Sequence, residues 1–189
     1  AEDESGPRVV VSLCTFNERE NLAALIPEVL SVVPRAEVVV IDDNSPDGTG
    51  DLVTEMAADN PRVHLVSRPS KLGLGTATLE AFRYAIEHSF DLLVNIDADF
   101  SHPPRFIPSL VEAASRADVV IGSRYVPGGA IPNWGFRRRA MSWCINSYAR
   151  LMLGLGTRDN SGAFRCYRVA KLKELDLSRV RARGYAFQE

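Results

Sequence analysis

The residues best suited to chemistry lie in VNIDADFSHPP, where Asp97 and Asp99, separated only by Ala98, close an apolar run and Ser101 and His102 follow. Two carboxylates so close together repel each other. A hard divalent cation, Mg²⁺ or Mn²⁺, offsets that repulsion by taking one or two carboxylates and filling its shell with water and substrate phosphates. At a strand end, residues i and i+2 point the same way, so both acids would aim at one point. A solvated acidic pair is the alternative reading, and phosphate-type loops on the same rim weigh against it. His102, beside two prolines, reads as structural rather than as a base.

A second polar stretch is DDNSPDGT. Asp42 and Asp43 end an apolar run, where a carboxylate can accept hydrogen bonds from a ribose or a base edge. The glycine fingerprint of dinucleotide folds is missing after the first run, where TFNE stands instead, and this argues against a Rossmann dehydrogenase. The Pro46–Gly48 portion also reads as a plain turn. In KLGLG (71–75), glycines ahead of a helix would let backbone amides approach a phosphate, with Lys71 adding charge; a plain helix-entry loop is the other reading. Arg137, Arg138 and Arg139 open a helix at its positive dipole end, a conflict that a nearby anion would relieve. Arg124 is a further anion candidate, because guanidinium groups suit phosphate geometry. Solvated arginines, or contact with anionic lipid headgroups, stand beside that reading.

The elements that must position these residues are legible in the apolar pattern. Valine-rich runs at 8–14, 37–42, 62–66, 91–97 and 118–123 start roughly 25–30 residues apart, the size of a βαβ unit. They are continuous rather than alternating, as in strands buried on both faces of a parallel sheet. Helices are expected over 17–33, 50–60, 76–89 and 103–116. Asn17 is the expected N-cap of the first, in a capping box with Glu20. An open, mainly parallel α/β sheet follows, with ligands at the carboxyl ends of its strands, where five polar or glycine-rich loops converge. After about residue 125 the rhythm breaks into a Gly/Pro-rich loop. A helix over roughly 138–153 and a short strand within 159–169 are expected next.

The totals limit the function classes. The chain has 189 residues, 46% hydrophobic and 24% charged, which fits one globular domain with a substantial core. A net charge of -2 supplies no global attraction to nucleic acid. Cys14, Cys144 and Cys166 stand singly, which argues against a disulfide framework or zinc site and for a reducing compartment. No apolar run reaches the length of a membrane span, and AEDESGP is no signal peptide. We expect residues 1–7 to be a flexible extension and 8–189 a single catalytic domain. The start without Met and the stop at GYAFQE read as the edges of a piece of something longer.

Taken in order, TFNERENL, IDDNSPDGTGD, KLGLGTA, DADFSHPP, GSRYVPGG, RRRAMSWCIN and GYAFQE resemble the polyprenol-phosphate (dolichyl-phosphate) mannose synthases. These are inverting glycosyltransferases of family 2 with the GT-A fold. The resemblance spans about residues 8–189. It implies transfer of mannose from GDP-mannose to a polyprenyl monophosphate at the cytoplasmic face of a membrane. Asp97, Asp99 and Ser101 would hold the divalent metal. Glu18 and Asp42 would contact the nucleoside, and Thr15, Asn17, Asp43, Ser45, Lys71, Asp97 and Ala98 would complete the nucleotide site. Arg124, Arg138 and Ser142 would receive the acceptor phosphate, which makes Asp99, Arg124 and Arg138 the expected catalytic residues. Trp143 departs from the pattern, since relatives often have a basic residue there. The family pattern also continues past GYAFQE, so the chain is expected to bind donor and transfer poorly. A UDP-sugar-dependent polyprenyl-phosphate transferase and a non-catalytic nucleotide-binding fragment are the alternatives.

Overall fold

A computed structural model describes residues 6–126, 147–148, 151–152, 154, 157, 159–160 and 162–180. Its centre is a sheet of six strands: β1 (Val9–Thr15), β2 (Glu37–Asp42), β3 (Val63–Ser67), β4 (Leu92–Ile96), β5 (Val119–Ile121) and β6 (Arg165–Arg168). Helices α1 (Arg19–Val32), α2 (Thr49–Asp59), α3 (Leu74–Glu87), α4 (Ile107–Ala113) and α5 (Val169–Leu172) cover it. The unbroken apolar runs are explained by these two covers. In β1, Val9, Val11 and Leu13 pack with Leu22, Ile26 and Val29 of α1, while Val10 faces Phe82 and Ala85 of α3. Alternate residues of one strand thus enter two different cores, and neither face can be polar.

The strand order is β3-β2-β1-β4-β6-β5. Strands β1 to β4 run parallel, whereas β6 lies antiparallel between β4 and β5. From β1 the chain first builds outward through β2 and β3, then β4 pairs on the other side of β1. The gap between the carboxyl ends of β1 and β4 is therefore a switch point, where open α/β sheets bind ligands. The run 118–123 does not extend the parallel sheet as its own neighbour of β4, because β6 is inserted there. With Asn95 and Ile121 both opposite Arg165, the segment before β6 arrives at the rim where β4 and β5 end.

Two local expectations need correction. Asn17 does not cap α1: it has φ 63, the cap position falls to Glu18, whose side chain makes no capping bond, and the Arg19 N–H is donated to Asp47 Oδ2 at 3.2 Å. The Asn17 N–H is instead donated to Ser45 Oγ at 2.9 Å, which ties the loop after β1 to the loop after β2. The prolines of 103–116 start a short 3-10 turn, Pro104–Phe106, before α4. The expected helix over 138–153 lies largely outside the described residues; 147–148 and 151–152 are helical. Burial pushes the Cys14 and Cys166 thiols up to about 12, so both act as apolar packing groups rather than nucleophiles. Cys144 lies outside the described residues.

Candidate active site

The rim at β1 and β2 is organised around Asp42, which is 3% exposed. Because Thr15 pairs with Asp42 across the ladder, its hydroxyl reaches Asp42 Oδ1 at 3.0 Å. Ser45 donates its N–H to Oδ2 at 2.9 Å and its hydroxyl to Oδ1 at 2.5 Å. Glu18 donates its N–H to Thr49 Oγ1, and its carboxylate accepts from Asn21 at 2.7 Å. Two small polar clefts open here. One of about 270 Å³ is lined by Asn17, Glu18, Asn21 and Asp47, and one of about 190 Å³ by Asp42, Ser45, Gly50 and Ser67. Thr15, Asn17, Glu18, Asp42 and Ser45 thus lie together on this rim.

Asp43, the neighbouring residue, is committed elsewhere. It forms an ion pair with Arg68 in which both side chains are 7% exposed. Its Oδ2 accepts the N–H groups of Leu72 (3.1 Å) and Gly73 (3.3 Å). Of the two readings of KLGLG, a phosphate loop and a plain helix entry, these bonds fit the second, since the Leu72 and Gly73 amides bind Asp43. Arg68 goes on to Thr76 Oγ1 at 2.9 Å, which pins the start of α3. Gly73 sits in this loop at φ 95, a conformation that strains any residue with a Cβ. Lys71 lies nearby with its ammonium 3.9 Å from the centroid of the Phe16 ring.

The two acids of DAD stand in a turn, because β4 already ends at Ile96. Strand alternation is thus not what aims them. Ala98 is buried, and Phe100 takes φ 59, which lets the chain reverse immediately after Asp99. The Asp97 carboxyl is held above its ordinary value by burial first, with the Asp99 charge adding to it and His102 and Arg124 opposing it. Burial would also raise Asp99, but hydrogen bonds from the Ser101 hydroxyl and N–H outweigh it and hold the group low. The Ser101 N–H reaches Asp99 Oδ1 at 3.0 Å. His102 Nδ1 accepts the Asp97 N–H at 3.1 Å, and its ring stacks on Phe164 at 5.2 Å. His102 is therefore a strut of the turn.

These residues fit a divalent ion. The Asp97 carboxylate is disfavoured by burial and by the Asp99 charge, and its side chain keeps 39% exposure. Among the described residues no group of three or more His, Cys, Asp or Glu could hold a metal. Two carboxylates are hard oxygen donors, the kind that suits ions such as Mg²⁺ or Mn²⁺, which complete their shells with water and phosphate.

Across the rim, Arg124 follows β5. Its Nε and Nη2 each donate to Asp159 at 2.8 Å, and its backbone N–H reaches the same carboxylate at 3.0 Å. Asp159 is fully buried. Burial would raise its carboxyl, but the Arg124 guanidinium and N–H hold it below the ordinary range. Asp159 and Phe164 were missed in the sequence. The one available signal was that 159–164 leads into a short strand whose position in the sheet was unknown. Arg138 and Ser142 lie outside the described residues.

Gly122 shows how tightly this layer is packed. A Cβ there would lie 2.3 Å from Phe164 Cδ1. Gly122→Ala is expected to destabilise the domain by about 1–3 kcal/mol, measured by urea unfolding, because the ring under His102 must shift. An unchanged midpoint would mean that the Phe164 ring has room to yield.

An open, mainly parallel sheet with polar loops gathered at one rim and an Asp-x-Asp turn at the switch point has the architecture of the GT-A fold. The chain belongs to glycosyl transferase family 2, whose pattern matches residues 10–176. It is 44% identical over 181 residues to an undecaprenyl-phosphate mannosyltransferase of Micrococcus luteus, covering 96% of this chain and 74% of that one. It is 45% identical over 183 residues to a polyprenol monophosphomannose synthase of Mycolicibacterium smegmatis, covering 96% and 69%. Among solved structures it resembles Mycobacterium tuberculosis glucosyl-3-phosphoglycerate synthase with Mn²⁺, UDP and glucosyl-3-phosphoglycerate (TM-score 0.70, 22% identity, 98% of this chain and 63% of that one). A mannosyltransferase from Pyrobaculum calidifontis with GDP-mannose and Mn²⁺ is also similar (TM-score 0.60, 20% identity, 92% and 48%). The chain spans less than two thirds of the length of either structure.

Proposed function

We propose that the chain transfers mannose from GDP-mannose to a polyprenyl monophosphate, with inversion at the sugar carbon. The observation that carries this reading is the pair of carboxylates Asp97 and Asp99 in the turn that follows β4 at the switch point. The names of the relatives in Micrococcus and Mycolicibacterium supply the sugar and the acceptor class.

The nucleoside enters at the clefts beside Glu18 and Asp42, where Thr15 and Ser45 hold the Asp42 carboxylate in place. Asp97 and Asp99 hold the divalent ion, Mg²⁺ or Mn²⁺, and Ser101 supports Asp99. The ion, when bound, disperses the charge that grows on the departing diphosphate. Arg124, with Arg138 and Ser142, receives the acceptor phosphate. A phosphate oxygen attacks C1 of the sugar from the face opposite GDP; the new C1–O bond forms as the bond to the diphosphate breaks. The attacking group is already an anion near neutral pH, so no base need remove a proton. The protein's task is to hold two anions together, which positioning and fixed cations accomplish.

A lipid acceptor brings the enzyme to a membrane surface. Among the described residues no helix is long and apolar enough to cross a membrane. Tyr148, Leu151 and Met152 expose 65%, 82% and 63% of their surface, an apolar group suited to the side facing lipid.

The test is transfer of labelled mannose to a short polyprenyl phosphate with Mg²⁺, with Mn²⁺ and with chelator. Product is expected with either metal and none with chelator. Thermal stabilisation by UDP-glucose but not by GDP-mannose would refute the mannose donor.

A further inference from the structure

The smaller of the two clefts beside Asp42 has a one-sided hydrogen-bonding character. Its polar side chains are Asp42, Asn44, Ser45, Asp51, Thr54 and Ser67. Most of the donors among them are committed to the protein. Ser45 gives its hydroxyl to Asp42 Oδ1, and Thr54 gives its hydroxyl to the Gly50 carbonyl at 2.8 Å. Asn44 directs its amide to the Pro69 carbonyl at 3.4 Å. The acceptors keep capacity. Asp42 Oδ2 takes the Ser45 N–H and has a further lone pair, and among the described residues no donor reaches the Asp51 carboxylate.

Two more features suit a flat heterocycle. Leu65 gives this cleft an apolar wall, whereas the larger cleft is lined by Asn17, Glu18, Arg19, Glu20, Asn21 and Asp47, all polar. Gly50 leaves the space beside that wall bare. A Cβ there would stand 3.6 Å from Asp42 Oδ2 and 4.0 Å from Leu65 Cδ2, so a larger side chain would enter the cleft.

An occupant that matches this lining is planar and presents adjacent donors. Guanine does so, because its N1–H and its N2 amino group lie side by side and meet the two oxygens of one carboxylate. Uracil does not, because its single N–H is flanked by two carbonyls that a carboxylate repels. We propose that this cleft takes the base of the donor nucleotide and that Asp51, in the first turn of α2, selects guanine over uracil. This rests on the reading that the donor is a nucleotide sugar whose nucleoside lies beside Asp42.

The experiment is calorimetric titration of the whole chain with GDP, inosine diphosphate and UDP in the presence of Mn²⁺. Inosine diphosphate differs from GDP only in lacking the N2 amino group. The wild type is expected to bind it about tenfold more weakly than GDP, the scale of one hydrogen bond to a charged group. Asp51→Asn is expected to lose about tenfold in GDP affinity and to bind GDP and inosine diphosphate within about threefold of each other. Its UDP affinity is expected to hold or rise, since an amide can pair with the N3–H and a carbonyl of uracil. Gly50→Leu, which fills the cleft, is expected to weaken all three nucleotides by about tenfold or more. Asp51 is exposed, so its variant is expected to fold, and the wild-type comparison of GDP with inosine diphosphate stands without it. Equal binding of those two by the wild type would overturn the proposal. So would a gap between them that survives in Asp51→Asn, or nucleotide affinity unchanged in Gly50→Leu. Wild-type protein that prefers UDP, or binds no nucleotide, would refute the donor reading and the proposal with it.

Discussion

Asp99→Ala is expected to lower mannosyl transfer by about a hundredfold to a thousandfold, the scale on which a group that stabilises charge in the transition state is lost. The fold should survive, because Asp99 is exposed and its principal contact is the local turn with Ser101, worth about 1 kcal/mol. Asp99→Asn separates the two contributions: it keeps an oxygen for the Ser101 N–H but removes the charge. If the metal reading holds, both variants lose metal-dependent GDP-mannose affinity by calorimetry, and only the alanine variant loses measurable stability. Donor affinity that is the same with and without metal, in both variants and in the wild type, would return the acids to an ordinary solvated pair.

The largest loss of stability is expected from Arg68→Ala. This change strands Asp43, whose side chain is 7% exposed, with only the Leu72 and Gly73 amides as partners. Removing one member of a buried pair costs about 3–5 kcal/mol, because the remaining charge is left uncompensated. The loop 68–73 and the first turn of α3 are expected to loosen with it, since Arg68 also holds Thr76 and the Gly73 carbonyl. Replacing both Asp43 and Arg68 by apolar residues is expected to cost less than Arg68→Ala alone, and urea unfolding of the two variants tests that ordering. A loss below about 1 kcal/mol for Arg68→Ala would place the pair in the class of screened surface bridges.

Asp42 and Asp43 show where the sequence stopped being informative. They are adjacent, identical in type and equally placed at the end of an apolar run, so no local pattern separates them. The structure gives Asp42 to the clefts, with Thr15 and Ser45, and Asp43 to Arg68. The reason is register: β2 pairs with β1 on one side, which brings Thr15, and with β3 on the other, after which Arg68 follows. Asn17 fails as a cap for a related reason. Its loop is tied to Ser45, 28 residues away, and that tie overrides a local capping preference.

What the sequence determined by itself was the alternation of buried strands and helices, the rim on which polar loops gather, and the two carboxylates of DAD on that rim. These are properties of local spacing: unbroken apolar runs require two covered faces, and acids that end such a run must lie at its exposed end. Only the tertiary structure decided how DAD is aimed and what stands behind it. A tight turn with Phe100 at positive φ, rather than strand alternation, sets the acids, and His102 on Phe164 supports them. The buried partner of Arg124 lies 35 residues further on, brought back by a strand that runs against its neighbours. Spacing along the chain reports which face a residue takes, whereas the partner of a buried charge depends on long-range strand order, which no local pattern encodes.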